Sequence, residues 1–366
     1  MWKLPDAIPQ RFPLVARSRP ACLPLPERVG MLTDLASSAD QARASAVYNQ
    51  AALIASDLDL PELARDWCHR HAAAYLQACP LSGSAAIRAL EPLVNLARLQ
   101  IRAGQADDAR RRLLGLYEAV SSGTAAWFED MAVPDILIAT SEDRREVRTW
   151  LWRVLLADGT RTLTGVGRWA DAVAHLKEHS GIGRRMLDGR QVAVLAALTS
   201  GDAPGAAVLL TDTTPGDPWE QAVTTCLTML CHRSLGRPAD GLLDELLDTC
   251  LEQEARHGLT VFDIRLGLTA LDAMGSEHPA KHRMVDRLHH RAMEARDGYA
   301  ARDLLAHHLF CTLASSTQKK DCHGLVRICA LGSGVLPERL RTVLTDALQH
   351  SDAAIRKSLT GSMRAT

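Results

Sequence analysis

Asn95 and Arg98 stand three apart in "LVNLARLQIR", and Asp158 and Arg161 repeat that spacing in "LADGTRTL". Helical residues three apart share a face. An Asn side chain offers a donor and an acceptor, so it can satisfy an extended peptide bond whatever side chain that residue bears. An Arg beside it presents a planar fork to a carboxylate or phosphate. These pairs suit holding a peptide's backbone or carboxylate, and ordinary solvated polar positions between stacked helices explain the same spacing.

Residues that could do harder chemistry form weaker patterns. His278, His282, Asp286 and His289 fall along one helix face, and His282, Asp286 and His289 are the three that could ligate a metal. A solvated face with a His–Asp contact explains the same spacing, and Pro279 suits a first turn that leaves His278 ahead of the helix. No metal is assigned there. Glu254 with His257 is one Glu-x-x-His pair where a di-iron bundle needs two. "DELLD", Asp244 to Asp248, lacks a partner triad, and four Phe and four Tyr make a poor cation cage for a terpene-cyclase-like site. "CHRH", Cys68 to His71, and "DCHG", Asp321 to Gly324, do not repeat at zinc-ligand spacing. No phosphate-binding glycine loop follows a strand, and there is no serine nucleophile elbow. "HSGIGRRMLDGR", His179 to Arg190, sets glycines beside arginines, which suits an anion at a helix N-terminus or an exposed turn. Catalytic residues stay unassigned, no cofactor is expected, and the residue set leans against an enzyme.

The elements that must carry these residues are helices. Runs such as Ala42 to Ser56, Pro61 to Ala78 and Ala85 to Arg102 place apolar residues three and four apart, without strand alternation of useful length. Breakers at 82–85, 215–218, 235–238 and 275–279 punctuate them. Four corners share a glycine followed five residues later by a small residue: "AGQADDA", "VGRWADA", "SGDAPGA" and "LGRPADG". The last three glycines, Gly167, Gly201 and Gly236, are 34 and 35 residues apart, and Gly104 precedes Gly167 by 63. Six prolines in residues 1–26 predict an extended arm. The expected order is that arm, helical hairpins over 27–120, a loop or flap over 121–140, further repeats and helices over 141–350, and a tail over 351–366.

The turn glycine, the small residue after it and the near-34 spacing resemble the tetratricopeptide repeat family, most convincingly over Ala42 to Leu251. The large aromatic expected early in each repeat is missing, and Val194 and Met229 occupy small packing positions, so the repeats are degenerate. The resemblance implies an all-α, right-handed solenoid in which first helices line a concave surface. It carries peptide binding onto Asn49, Asn95, Arg98, Asp158 and Arg161, with Tyr48, Glu91 and Arg102 as neighbours and Asp188 and Arg190 at the edge. The matching positions in the next repeats are apolar, Val192 and Leu195, then Leu227 and Leu230. That fits either a groove for an amphipathic peptide or simple burial.

Composition bounds the partners. The 42 basic and 43 acidic residues nearly cancel, so no global field draws the chain to nucleic acid or an anionic membrane. Nine scattered cysteines read as reduced thiols, and no apolar run approaches a membrane span, so a cytoplasmic location is expected. Arg outnumbers Lys about sixfold, a usage typical of GC-rich bacterial genomes. The reading that results is a non-catalytic binder of a peptide or protein segment, a regulator or the partner of a biosynthetic enzyme. A homodimer remains possible. An all-α enzyme of a specialised biosynthetic pathway, with its site inside the superhelix, is the alternative.

Overall fold

A computed structural model describes residues 4–252, 254–274 and 278–363, with side chains through residue 360; the expected break at 275–279 falls mostly outside them. Two compact units divide the chain, and each is assembled from two separate stretches. The early unit combines Leu25–Thr162 with Ala330–Thr366, and the late unit combines Met1–Pro24 with Leu163–Cys329.

The early unit runs through α1 (Leu25–Ser37), α2 (Gln41–Asp57), α3 (Pro61–Leu76), α4 (Gly83–Arg102) and α5 (Ala106–Ser122). A short hairpin follows, β1 (Ala126–Phe128) with β2 (Met131–Val133), and then α6 (Ser141–Val154). A π-turn, Leu155–Gly159, continues α6 into α7 (Thr160–Thr164). The late unit contains α8 (Trp169–Glu178), α9 (Asp188–Thr199), α10 (Ala203–Thr211), α11 (Pro218–Ser234), α12 (Asp240–Glu252) and α13 (Thr260–Met274). It continues with α14 (Lys281–Glu294), α15 (Gly298–Leu305), α16 (His308–Leu313) and α17 (Ser316–Ile328). Finally α18 (Glu338–Met363) returns to the early unit and packs on α1, α2 and α3.

Sequence chemistry sets the helix ends. Asp40, Thr140 and Asp202 accept backbone N–H groups at the starts of α2, α6 and α10, and Pro61 fits the first turn of α3. Gly104, Gly167, Gly201 and Gly236 all take left-handed backbone (φ +66 to +83°), as the shared corner motif requires. Ala109, Ala172 and Ala206, five residues after the first three, are fully buried where paired helices meet. Gly241, five after the fourth, is exposed. Successive helices pack pairwise, α4 on α5, α9 on α10, α11 on α12 and α13 on α14, which is a helical-repeat arrangement.

Three segments are more firmly packed than their sequence marks show. The proline-rich stretch, expected as an extended arm, belongs to the late unit, and its Ile8, Phe12, Leu14 and Cys22 are buried. Gln191 clamps Leu14 by accepting from its N–H and donating to its carbonyl, both at 2.7 Å. The stretch expected as a flap carries the hairpin. The side chain of its tip residue Glu129 is 5% exposed and accepts from Arg65 (2.9 Å), His69 (3.0 Å) and Gln100 (2.9 Å), fastening the tip to α3 and α4. Residues 351–363, expected as part of a tail, are the second half of α18.

The early unit's core contains an aromatic stack. His71 lies parallel to Tyr48 at 4.9 Å and edge-on to Tyr75 at 5.7 Å, and the Tyr75 hydroxyl meets Ser45 at 2.6 Å. Full burial drives the His71 pKa down to about 3, so the ring is neutral at physiological pH.

Candidate ligand cavity

In the early unit α2, α4 and α6, the first helices of successive pairs, enclose a cavity of about 400 Å³ with Cys68 of α3 at its back. That size lies within the usual range for small-ligand sites. Its polar wall is one continuous chain of hydrogen bonds. Asn49 donates to Glu91 (2.8 Å), Asn95 donates to Asn49 (3.0 Å), and Arg98 donates to Asn95 (3.0 Å). Arg98 also forks onto Asp158 through Nε (3.1 Å) and Nη2 (2.8 Å).

Helix geometry explains this order. Glu91, Asn95, Arg98 and Arg102 recur at four- and three-residue steps, so they line one face of α4. Asp158 reaches them from the π-turn, where an extra residue within one turn re-aims side chains. Its carboxylate is 3% exposed, while the Arg98 side chain is 50% exposed. Burial works against the Arg98 charge, but the hydrogen bonds and opposite charge of Asp158 outweigh it and raise the guanidinium pKa. Arg161 adds a looser contact to Asp158 at 3.6 Å and stands 59% exposed.

Arg102 is tethered less firmly. It donates to the Ser56 hydroxyl and lies 3.9 Å from the buried Asp57 carboxylate, which Arg28 already engages at 2.8 Å. Leu53, Leu99, Trp150 and Val154 add apolar lining to the same cavity. Cys68 contributes an inert thiol. Burial, then the nearby Glu129 charge, pushes its pKa up to about 12.

The residues expected at the groove divide into three groups. Asn49, Glu91, Asn95, Arg98 and Arg102 line the cavity together. Asp158 and Arg161 support it from behind and beside Arg98, and Tyr48 faces the other way, into the aromatic stack. Asp188 and Arg190 belong to the late unit, where both are internal ties. Asp188 accepts from Arg17 at 2.9 Å, and Arg190 donates to the Leu209 carbonyl and to Thr213. The neighbouring arginines are similarly occupied, Arg184 on the Asp212 carbonyl and Arg185 on Asp217 and Glu220, so the "HSGIGRRMLDGR" turn pins helices rather than cradling an anion.

The weaker metal patterns also resolve into ordinary contacts. Asp286 accepts from Gln318 at 2.7 Å, His289 lies 3.4 Å from Asp321, and His282 is exposed. Glu254 and His257 lie in the connection between α12 and α13, off any helix face. Val192, Leu195, Leu227 and Leu230 are all fully buried, so the apolar inner positions of the late unit are core.

Sequence reasoning missed Gln50, Leu53, Ser56, Leu99, Trp150 and Val154 as cavity walls. The signal was present on α2, where Leu53 and Ser56 follow Asn49 by four and seven residues on the same face. It also missed His175, Glu178 and His179 of "AHLKEHS", whose donor atoms lie within 4.8 Å of one another. The chain matches no protein-family profile, no curated protein and no solved structure. Among the described residues, no helix is long and apolar enough to cross a membrane.

Proposed function

We propose that the chain is a non-catalytic, tetratricopeptide-like binding protein whose early-unit cavity receives a short peptide or protein segment. It would act as a regulator or as the partner of a biosynthetic enzyme. One observation carries this reading: the ladder of linked side chains Glu91, Asn49, Asn95 and Arg98, braced by buried Asp158, lines a cavity together with the apolar Leu53, Leu99, Trp150 and Val154. Each Asn amide in the ladder keeps a second N–H free to donate. An extended segment supplies backbone carbonyls for those donors, an apolar side chain for Leu53, Leu99 and Trp150, and a carboxylate for Arg102. The preformed ladder lowers the ordering cost of binding, because its side chains are already held in place.

A library of tripeptides with free C-terminal carboxylates, read by calorimetry, tests the reading. The expected result is binding by members with an apolar side chain, weakened by C-terminal amidation and by Arg102→Ala. Asn95→Ala combined with Arg98→Ala is expected to abolish it. Affinity unchanged in both variants would remove the cavity as the binding site.

A further inference from the structure

The last turn of α8 and the residue after it spell His175-Leu176-Lys177-Glu178-His179. Nothing in the cavity reading uses them. His175 and His179 are one helical turn apart, so both imidazoles project from one face, and Glu178 lies three residues from His175 on the same side. The rings meet edge to face with centroids 4.7 Å apart. One donor atom from each of the three side chains lies within 4.8 Å of the other two.

We propose that His175, Glu178 and His179 form a binding site for a divalent transition-metal ion of the zinc class. Two imidazole nitrogens and one carboxylate oxygen are a three-ligand set for such an ion, with a fourth position left for water or another ligand. Tetrahedral bonds of about 2.1 Å set ligand atoms roughly 3.4 Å apart, which small side-chain rotations reach from the observed spacing. Imidazole donors select against calcium and magnesium, which take oxygen ligands. His175 is buried beside Ala172 and Leu176, which fixes one ligand to the helix core, while exposed Glu178 leaves the ion a path from solvent. The site lies in the late unit and stands independently of the peptide reading.

The full-length chain, stripped with a chelator, is titrated with Zn²⁺ by calorimetry and with Co²⁺ by visible absorption, in the absence of any peptide. One equivalent of Zn²⁺ is expected to bind, and Co²⁺ is expected to give the intense bands of a tetrahedral site. His179→Ala, at a partly exposed position, is expected to abolish both signals while its thermal melt matches that of the wild type. Glu178→Gln is expected to weaken Zn²⁺ at least roughly tenfold, the loss that even outer-shell partners cause. No uptake by the wild-type chain would overturn the proposal. So would uptake undiminished in His179→Ala, which would place the metal on other Cys or His residues.

Discussion

The same repeat positions hold opposite residues in the two units. In the early unit they are Asn49, Asn95, Arg98 and Asp158, joined by hydrogen bonds beside a cavity. In the late unit they are Val192, Leu195, Leu227 and Leu230, all fully buried. Repeat register therefore identifies the helix face but not whether that face stays open. The side chains on it decide. Leucines there gain roughly 1.5–3 kcal/mol each by closing against a neighbour, whereas amides and guanidinium groups gain little unless every donor finds a partner.

The contrast can be broken from either side. The largest effect is expected from acid, because the early unit, besides its open polar face, buries a titratable ring. His71 is neutral in the folded chain down to about pH 3, while the unfolded chain takes up that proton near 6.5. Stability present above pH 6.5 is thus lost as pH falls toward 3, by up to roughly 5 kcal/mol. Urea melts across that range should show this slope in the wild type and a shallower one in His71→Phe. Next, Leu227→Asn gives the late unit the early unit's residue without its partners, and should cost roughly 3 kcal/mol in chemical denaturation. Arg98→Met leaves the buried Asp158 carboxylate without its fork. Because Arg98 is half exposed, the expected cost is about 1–2 kcal/mol, and Arg98→Met with Asp158→Leu should recover part of it in a double-mutant cycle. The smallest change is Asn95→Leu, expected within about 1 kcal/mol because water and neighbours replace its partners at an open face.

Much of the helical frame was legible because its marks are local. The four corner glycines must leave the right-handed region, and the alanines that follow three of them must let backbones approach; both constraints show in the letters. Asn49, Asn95 and Arg98 were legible as one face for the same reason. The hairpin was not, because three-residue strands are too short for alternation to register. The buried N-terminal stretch was not either: its prolines exclude a long α-helix, but nothing local says that Gln191, far along the chain, will hold Leu14. Asp188 and Arg190 were set at the groove edge by their place in the repeat, whereas both side chains tie separate stretches of the late unit together. His-x-x-Glu-His is present in the letters, but it matches neither the Glu-x-x-His pattern nor the longer histidine run near 282.

Each unit is stitched from two stretches of chain, and this has a consequence for synthesis. Residues 25–162 leave the ribosome long before α18, the helix that covers α1 and α2. Residues 163–329 must be made in between, which at about 5–20 residues per second takes on the order of ten to thirty seconds. For that interval the nascent early unit carries an uncovered apolar flank on α1 and α2. The late unit is complete first, although part of it precedes the early unit in the chain.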